Sequence, residues 1–192
     1  MTKTFTPLAS AIALTLAMAP AAFADSSSFE GIYGGLSVGS VGIDPNFSPS
    51  TLSNAPGYEL FLGYNHALDS SWIIGGELGF GTSGDHTVSG SGAQVRLEDM
   101  VTISARAGYV FDETMIYGRI GYQTGEMSIT GTPVTPDLDG YIFGLGVEHN
   151  FTDRVAGRFE VSHGILDLSG PGVPPGAEIE RTSVSLGIVF RF

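Results

Sequence analysis

The last eleven residues of the chain, TSVSLGIVFRF, alternate between apolar and polar side chains up to the final residue. The apolar positions of this segment are Val184, Leu186, Ile188, Phe190 and Phe192. The polar or small positions are Ser183, Ser185, Gly187 and Arg191, and Val189 is the one apolar residue among them. Successive side chains of a β-strand point to opposite faces, so this period of two predicts a strand with one apolar and one polar face.

The first 24 residues have the features of a secretory signal peptide. Lys3 supplies a weakly positive start, residues 8–19 are largely apolar, and Ala22-Phe23-Ala24 has the pattern of a cleavage site. The apolar run is shorter than the ~20 residues of a membrane-spanning helix. We therefore expect residues 1–24 to be a signal peptide and residues 25–192 to form the mature domain. The alternative is a retained amphipathic helix.

Composition narrows the class of the mature chain. It has no cysteine, so its stability cannot depend on disulfides. It has seven arginines, no lysine and twenty acidic residues, which gives a net charge of −13. Such a negative charge argues against nucleic acid as a partner. Glycine is abundant and no long amphipathic helix is apparent, so the predicted class is all-β, folded as one domain.

Eight alternating segments follow one another along the mature chain: 29–42, 58–65, 72–81, 95–111, 115–126, 141–151, 154–166 and the terminal strand. Most approach the roughly 9–11 residues of a tilted strand that crosses a membrane. The connections alternate between short (66–71, 112–114, 152–153) and long (43–57, 82–94, 127–140, 167–181). Short turns at one end and long loops at the other predict an eight-stranded antiparallel up-and-down transmembrane β-barrel, with aromatic residues near both membrane interfaces.

Charged side chains occur at a few positions on the polar faces of these strands. Four glutamates and four arginines are expected to point into the lumen: Glu59, Glu77, Arg106, Arg119, Glu148, Arg158, Glu160 and Arg191. The remaining polar-face residues are mainly Gly, Ser and Thr, which suit the packed interior of an eight-stranded barrel better than a surface in water. Because buried charges persist when they are paired, we expect a structural ion-pair network that fills the lumen. The alternatives are a narrow path for ions or small solutes, and a soluble barrel with its apolar face inside.

Several segments resemble a known family. They are GIYGGLSVG at 31–39, SARAGYVF at 104–111, YIFGLGVEHNF at 141–151 and the terminal Phe192. The chain is similar to the outer-membrane β-barrels of Gram-negative bacteria, namely the transmembrane domain of OmpA, the opacity-type surface proteins and the small porin-family members. A final aromatic residue on the apolar face resembles the sorting signal of these barrels, which assigns an assembly role to Phe192.

The resemblance implies a location in the outer membrane and a structural or surface role, with the loops mediating adhesion or ligand contact. A narrow porin-like pore is the alternative function, and an enzyme that modifies lipid A is a more distant one. The expected partners are outer-membrane lipid, lipopolysaccharide and the barrel-assembly machinery, which would engage the C-terminal strand. We expect a monomer.

The side chains that could support catalysis or metal binding form no recognised motif. His163, Asp167 and Ser169 lie close together in sequence, but SHGILDLSG departs from the His-x-Ser-Asn pattern of lipid A deacylases. His66, His86 and His149 are widely separated. The acidic residues of the loops lack the spacing of a calcium-binding loop, so they are interpreted as a solvated rim. We therefore expect no catalytic residue, no cofactor and no metal.

Overall fold

The computed structural model describes residues 26–47, 52–90, 92–132 and 134–192. Within these residues, a short 3-10 helix, Ser26–Phe29, precedes nine strands. These are β1 (Gly31–Pro45), β2 (Ala55–Ala67), β3 (Trp72–Ser83), β4 (His86–Thr87), β5 (Gln94–Phe111), β6 (Thr114–Ile129), β7 (Asp137–Thr152), β8 (Val155–Ser169) and β9 (Glu178–Arg191). The predicted signal peptide at 1–24 lies outside the described residues. Among those described, no helix has the length and apolar character needed to span a membrane.

The strands close into one barrel. Each long strand pairs in antiparallel fashion with its neighbours, β9 pairs with β1, and β3 pairs directly with β5. The two-residue strand β4 extends the sheet against the start of β5. The predicted eight-stranded antiparallel barrel is therefore confirmed. We call its two ends the short-turn end, which contains Phe29 and Phe192, and the long-loop end.

The outer face of the barrel is apolar around its middle. Leu145, Leu186 and Ile103 expose 71%, 64% and 65% of their surface, and such a continuous exposed apolar band marks a surface that contacts lipid. On β7 the band runs from Tyr141 to Phe151, a rise of roughly 25 Å for strands tilted by about 40°. Aromatic residues lie near both ends of the band, as in the pair Trp72–Tyr109 at the short-turn end, whose ring centres are 5.2 Å apart.

The strands extend further at the long-loop end than the sequence predicted. β7 and β9 begin at Asp137 and Glu178, four residues before the predicted starts. In these extensions the pattern inverts, because Leu138 and Ile179 point inward and are buried whereas Asp137 and Glu180 point outward. Once a strand leaves the lipid, its outer face meets water, so polar residues move outside and apolar residues move inside.

The lumen is filled by side chains in layers. The upper apolar layer, at the long-loop end, comprises Val41, Ile43, Val95, Leu97, Met100, Met127, Leu138, Leu166, Leu168, Ala177 and Ile179. The lower apolar layer, at the short-turn end, comprises Phe29, Tyr33, Phe61, Ile73, Val110, Met115, Tyr117, Ala156 and Val189. Val189, the apolar exception in the sequence pattern of the last strand, thus belongs to the interior. The charged residues begin below the upper layer and are in direct contact with the lower one, since Tyr33 and Tyr117 hydrogen-bond to them and Arg191 packs on Phe29.

Candidate functional site: the charged lumen

Seven of the eight charged residues predicted to face the lumen form one ion-pair network. Each lies on a long strand at an inward position, and none is more than 8% exposed. Its members are Glu77, Arg106, Arg119, Glu148, Arg158, Glu160 and Arg191. Alternate side chains of each strand point inward, and in this way six different strands bring these seven side chains together in the lumen.

Glu77 on β3 interacts with three arginines. Its Oε1 lies 3.1 Å from Nη1 of Arg119, and its Oε2 lies 2.8 Å from Nη1 of Arg158. Nη1 of Arg106 is 3.8 Å from the same Oε2. Glu77 therefore joins guanidinium groups from three strands, β5, β6 and β8.

Glu148 on β7 interacts with a second set of three arginines. Its Oε2 lies 3.3 Å from Nη1 of Arg106 and 3.2 Å from Nη2 of Arg158, and its Oε1 pairs with Arg191. Arg106 and Arg158 thus connect the two carboxylates. At the other side of the network, Arg119 pairs through Nη2 with Glu160 at 2.7 Å.

Two buried tyrosines that the sequence analysis missed complete the network. Tyr33 donates its hydroxyl to Glu77 at 2.9 Å, and Tyr117 donates to Glu160 at 2.7 Å. Glycines make room for both rings, because a Cβ at Gly63 would lie 2.2 Å from the Tyr33 oxygen and a Cβ at Gly146 would lie 2.4 Å from the Tyr117 ring. The sequence signal that could have identified them is an aromatic residue on a strand face that is otherwise polar and rich in glycine.

Aromatic rings also cover the guanidinium groups. The Cζ of Arg106 lies 4.2 Å from the centre of the Tyr33 ring, and that of Arg158 lies 4.1 Å from the centre of the Phe61 ring. Such cation–π contacts stabilise a desolvated cation. Charges removed from water are costly unless paired and hydrogen-bonded. These combined contacts therefore offset part of the cost of burying the arginines.

The eighth predicted residue, Glu59, lies nearer the long-loop end and is outside the network. It forms no ion pair within 4.0 Å among the described residues. Close to it is Arg181, which the sequence analysis left in a loop at 167–181. Arg181 instead lies within β9 and faces the lumen, so the described lumen contains five arginines, not four. The early start of β9, where Ile179 enters the upper apolar layer, explains the difference.

The short-turn end of the lumen is closed by the segment that precedes β1. Phe29, predicted to open the first strand, belongs to the 3-10 helix and is fully buried. Its carbonyl accepts a hydrogen bond of 2.9 Å from Nδ2 of Asn65, and Cζ of Arg191 lies 4.6 Å from the centre of its ring. Gly31, with φ of +107°, makes the turn into β1 that directs Phe29 inward.

Phe192, the predicted assembly signal, ends the outer face at the same end of the barrel. Its side chain is 87% exposed, and its backbone amide donates to the carbonyl of Ile32 at 3.1 Å. The terminal aromatic ring therefore lies on the lipid-facing side.

The residues considered for catalysis do not form a catalytic arrangement. His163 points outward, and its Nδ1 lies 3.1 Å from Oγ1 of Thr182. Within the described part of the chain, no hydrogen bond joins His163 to Asp167 or Ser169, which also point outward. The described residues contain no group of three or more side chains suited to hold a metal ion.

His86, which belongs to no motif in the sequence, connects a loop to a strand end at the long-loop end. His86 is fully buried; its Nδ1 lies 3.0 Å from the carbonyl oxygen of Ser53 and its Nε2 lies 3.1 Å from Oγ of Ser83. Burial lowers the pKa of His86 below its usual value, because the charged imidazolium would lose its hydration. The neutral ring therefore connects the loop after β1 to the end of β3.

Solved structures with the same fold share little sequence with this chain. Neisserial surface protein A (NspA) has a TM-score of 0.56 and 12% identity, with 85% of this chain and 98% of that chain covered. The N-terminal β-barrel domain of Pseudomonas aeruginosa OprF has a TM-score of 0.50 and 13% identity, with 83% and 99% covered. The outer membrane protein OprG from Pseudomonas aeruginosa has a TM-score of 0.50 and 12% identity, with 85% and 96% covered.

No curated protein sequence matches the chain significantly. A family model does: the one described as outer membrane protein beta-barrel domain matches residues 9–192, nearly the whole sequence. Together with the lipid-facing outer surface and the closed antiparallel topology, this match places the protein in the outer membrane. The chain belongs to the outer membrane protein β-barrel domain family.

Proposed function

We propose that this protein is a closed structural barrel of the outer membrane, whose long-loop end forms a surface for contact with the outside. The observation that carries the proposal is the filled lumen. The ion pair between Glu77 and Arg158 connects opposite walls of the barrel, and buried apolar clusters fill the lumen toward both ends. Two cavities between the network and the upper layer measure about 30 and 20 Å³ in the described part of the chain.

These dimensions argue against the alternative of a narrow porin-like pore. A cavity of this size holds one or two water molecules, and a solute that crosses the lumen would have to separate ion pairs that have little access to water. Separating a buried pair costs several kcal/mol.

Liposome swelling tests the closed lumen. Liposomes that contain the mature protein are expected to swell in small sugars no faster than empty liposomes. Swelling faster than that of empty liposomes would favour the pore if Glu160→Gln changed its rate and Arg96→Gln did not. Glu160 lies in the lumen, whereas Arg96 lies outside it and pairs with Asp85 at 2.8 Å.

The surface role rests on the contacts that fix the long-loop end. Asn46 and Glu178, distant in sequence, exchange hydrogen bonds: Glu178 N donates to Asn46 Oδ1 at 2.9 Å, and Asn46 Nδ2 donates to Glu178 Oε2 at 3.3 Å. The outward charges at this end are nearly all acidic, with Arg96 the only outward-facing cation of that end in the described residues. A fixed acidic surface favours a cationic ligand.

A binding comparison tests this surface role. The triple variant Asp137→Asn, Asp139→Asn, Asp167→Asn is expected to lose binding to an immobilised basic peptide. The control, Asp112→Asn with Asp153→Asn, alters acidic residues of the short turns and should bind as the wild type does when the long-loop end faces the peptide. Equal binding by the triple variant and the wild type would remove the support for adhesion through these loops.

The partners and the absence of catalysis belong to the same proposal. The apolar outer band suits outer-membrane lipid and lipopolysaccharide, and the exposed ring of Phe192 suits recognition of the C-terminal strand by the assembly machinery. We treat the protein as a monomer. We also treat it as having no enzymatic activity, because His163, the one candidate considered for catalysis, hydrogen-bonds to Thr182 and faces the lipid. Lipid A that is chemically unchanged after incubation with the purified protein is the expected result; a modified product that His163→Ala abolishes would overturn it.

A further inference from the structure

A small cavity lies in the lumen between the ion-pair network and the upper apolar layer. It measures about 30 Å³, and polar groups from β1, β2, β6, β8 and β9 line it. The lining side chains that matter here are Ser37, Glu59, Arg119, Ser162, Arg181 and Ser183. Ser162 and Ser183 are buried and share a hydrogen bond of 2.8 Å.

Two guanidinium groups at this cavity have unused donors. The Nε atoms of Arg119 and Arg181 are buried, and neither has a hydrogen-bond partner among the described residues. Arg119 is 8% exposed as a whole residue. A buried donor left without a partner is unfavourable, and more so when the group is charged. The arrangement therefore calls for an acceptor inside the cavity.

The charges of the described lumen do not balance. Five arginines face inward, at positions 106, 119, 158, 181 and 191, against four glutamates, at positions 59, 77, 148 and 160. This leaves one positive charge in excess. Arg181 and Glu59 form no ion pair within 4.0 Å in the part of the chain that the structure describes, whereas the other four lumen arginines are all paired. Arg181 is therefore the arginine of the described lumen that has no paired carboxylate.

Two carboxylates lie in the cavity wall, Glu59 and Glu160. Glu160 is already engaged, because it pairs with Nη2 of Arg119 and accepts a hydrogen bond from Tyr117. A Cβ built on Gly79 of β3 would lie 3.3 Å from Cδ of Glu59, so the Glu59 carboxyl group is positioned over β3. Ser37, Ser162 and Ser183 lie on the side of β1, β8 and β9. On that side the cavity offers three serine hydroxyl groups, next to Arg181 of β9.

We propose that this cavity binds a single monovalent anion of the size of chloride. The excess positive charge requires one negative charge, because an unpaired buried charge is strongly unfavourable. The volume admits a sphere little larger than water, which excludes an oxyanion with four oxygens such as phosphate or sulfate. Arg181, Arg119 and the serine hydroxyls supply the donors. The site compensates charge inside the lumen and is independent of whether the barrel conducts.

Anion-dependent stability tests the site in solution. The mature chain, folded in detergent, is unfolded in urea in sodium chloride, sodium bromide or sodium gluconate at equal ionic strength. A ligand that binds only the folded state raises stability with its concentration, so chloride and bromide should raise the unfolding midpoint above that in gluconate. Arg181→Gln should abolish this difference, whereas Arg96→Gln, which alters an arginine outside the barrel, should preserve it.

Bromide supplies a second test that does not depend on how the variants fold. Crystals of the wild-type protein grown in sodium bromide should show an anomalous peak in the cavity, within hydrogen-bonding distance of Nε of Arg181. Any one of three results overturns the proposal: equal midpoints in chloride and gluconate, a chloride effect that survives Arg181→Gln, or the absence of the bromide peak. Any of these would mean that the cavity contains water only.

Discussion

Nη1 of Arg158 lies 2.8 Å from Oε2 of Glu77, a residue 81 positions away on the opposite wall of the barrel. Four steps around the sheet, β3-β2-β1-β9-β8, separate their strands, half of the eight-stranded circumference. The pair therefore spans the lumen. Arg158 also contacts Glu148 on the adjacent strand β7. One guanidinium therefore links β7 and β8 to β3, to which backbone hydrogen bonds connect them only through the intervening strands.

Arg158→Ala should destabilise the folded barrel by about 3–5 kcal/mol, because it leaves Glu77 and Glu148 with one cation fewer in a buried site. The measurement is the free energy of urea unfolding in detergent. Arg154→Ala, which alters an exposed arginine in the preceding turn, is the control and should change stability by less than about 0.5 kcal/mol. An unchanged midpoint for Arg158→Ala would mean that water reaches the network.

Phe29→Ala should destabilise the barrel by about 3–5 kcal/mol, the usual cost of removing a fully buried phenylalanine. It also removes the ring against which Arg191 packs. Phe47→Ala, at a phenylalanine that is 46% exposed in the loop after β1, is the control and should have little effect. If both variants unfold at the same urea concentration as the wild type, the segment before β1 does not close the short-turn end.

Phe192→Asp should lower the amount of protein assembled in the outer membrane while leaving folding in detergent nearly unchanged. Phe151→Asp is the matched control, since Phe151 is also exposed on the outer face at the short-turn end and a charge near the interface costs only about 0–1 kcal/mol. Quantified outer-membrane yields of the two variants separate a sorting signal from simple lipid contact. Equal yields for Phe192→Asp and the wild type would contradict the assembly role.

Acidification should weaken the contact that His86 makes between a loop and a strand end. The folded-state pKa of His86 is lowered by burial, so its stabilising contribution is complete above the unfolded pKa of about 6.5 and is lost as the pH falls through the folded pKa. The difference between urea midpoints at pH 7.5 and pH 5.0 should therefore be smaller in His86→Gln than in the wild type. His163→Gln should retain the wild-type difference; identical behaviour of all three proteins would exclude His86 as the cause.

Alternation in the sequence was sufficient to predict the barrel and the inward position of Glu77, Arg106 and Glu148. It failed where the period of two is interrupted. At the irregularity between Glu98 and Val101, Asp99 adopts φ of +48° and the strand changes phase. As a result Leu97 points inward, although it is four residues from the outward-facing Val101.

The missed site residues have a common physical cause, since their positions depend on tertiary context. Arg181 faces the lumen because β9 continues above the lipid, where the hydropathy pattern inverts. Phe29 enters the lumen because Gly31 turns the chain. Which arginine pairs with which glutamate depends on distances across the barrel, and no local pattern encodes them.

Single-channel recording in planar bilayers tests the central claim of a closed lumen most directly. The wild-type mature protein should insert without a steady conductance at ±100 mV, because the ion pairs across the lumen and the two apolar layers leave no continuous aqueous path. A steady conductance of the wild-type protein that changes in Arg158→Ala and not in Arg154→Ala would contradict the account, since it would show that ions pass beside the network.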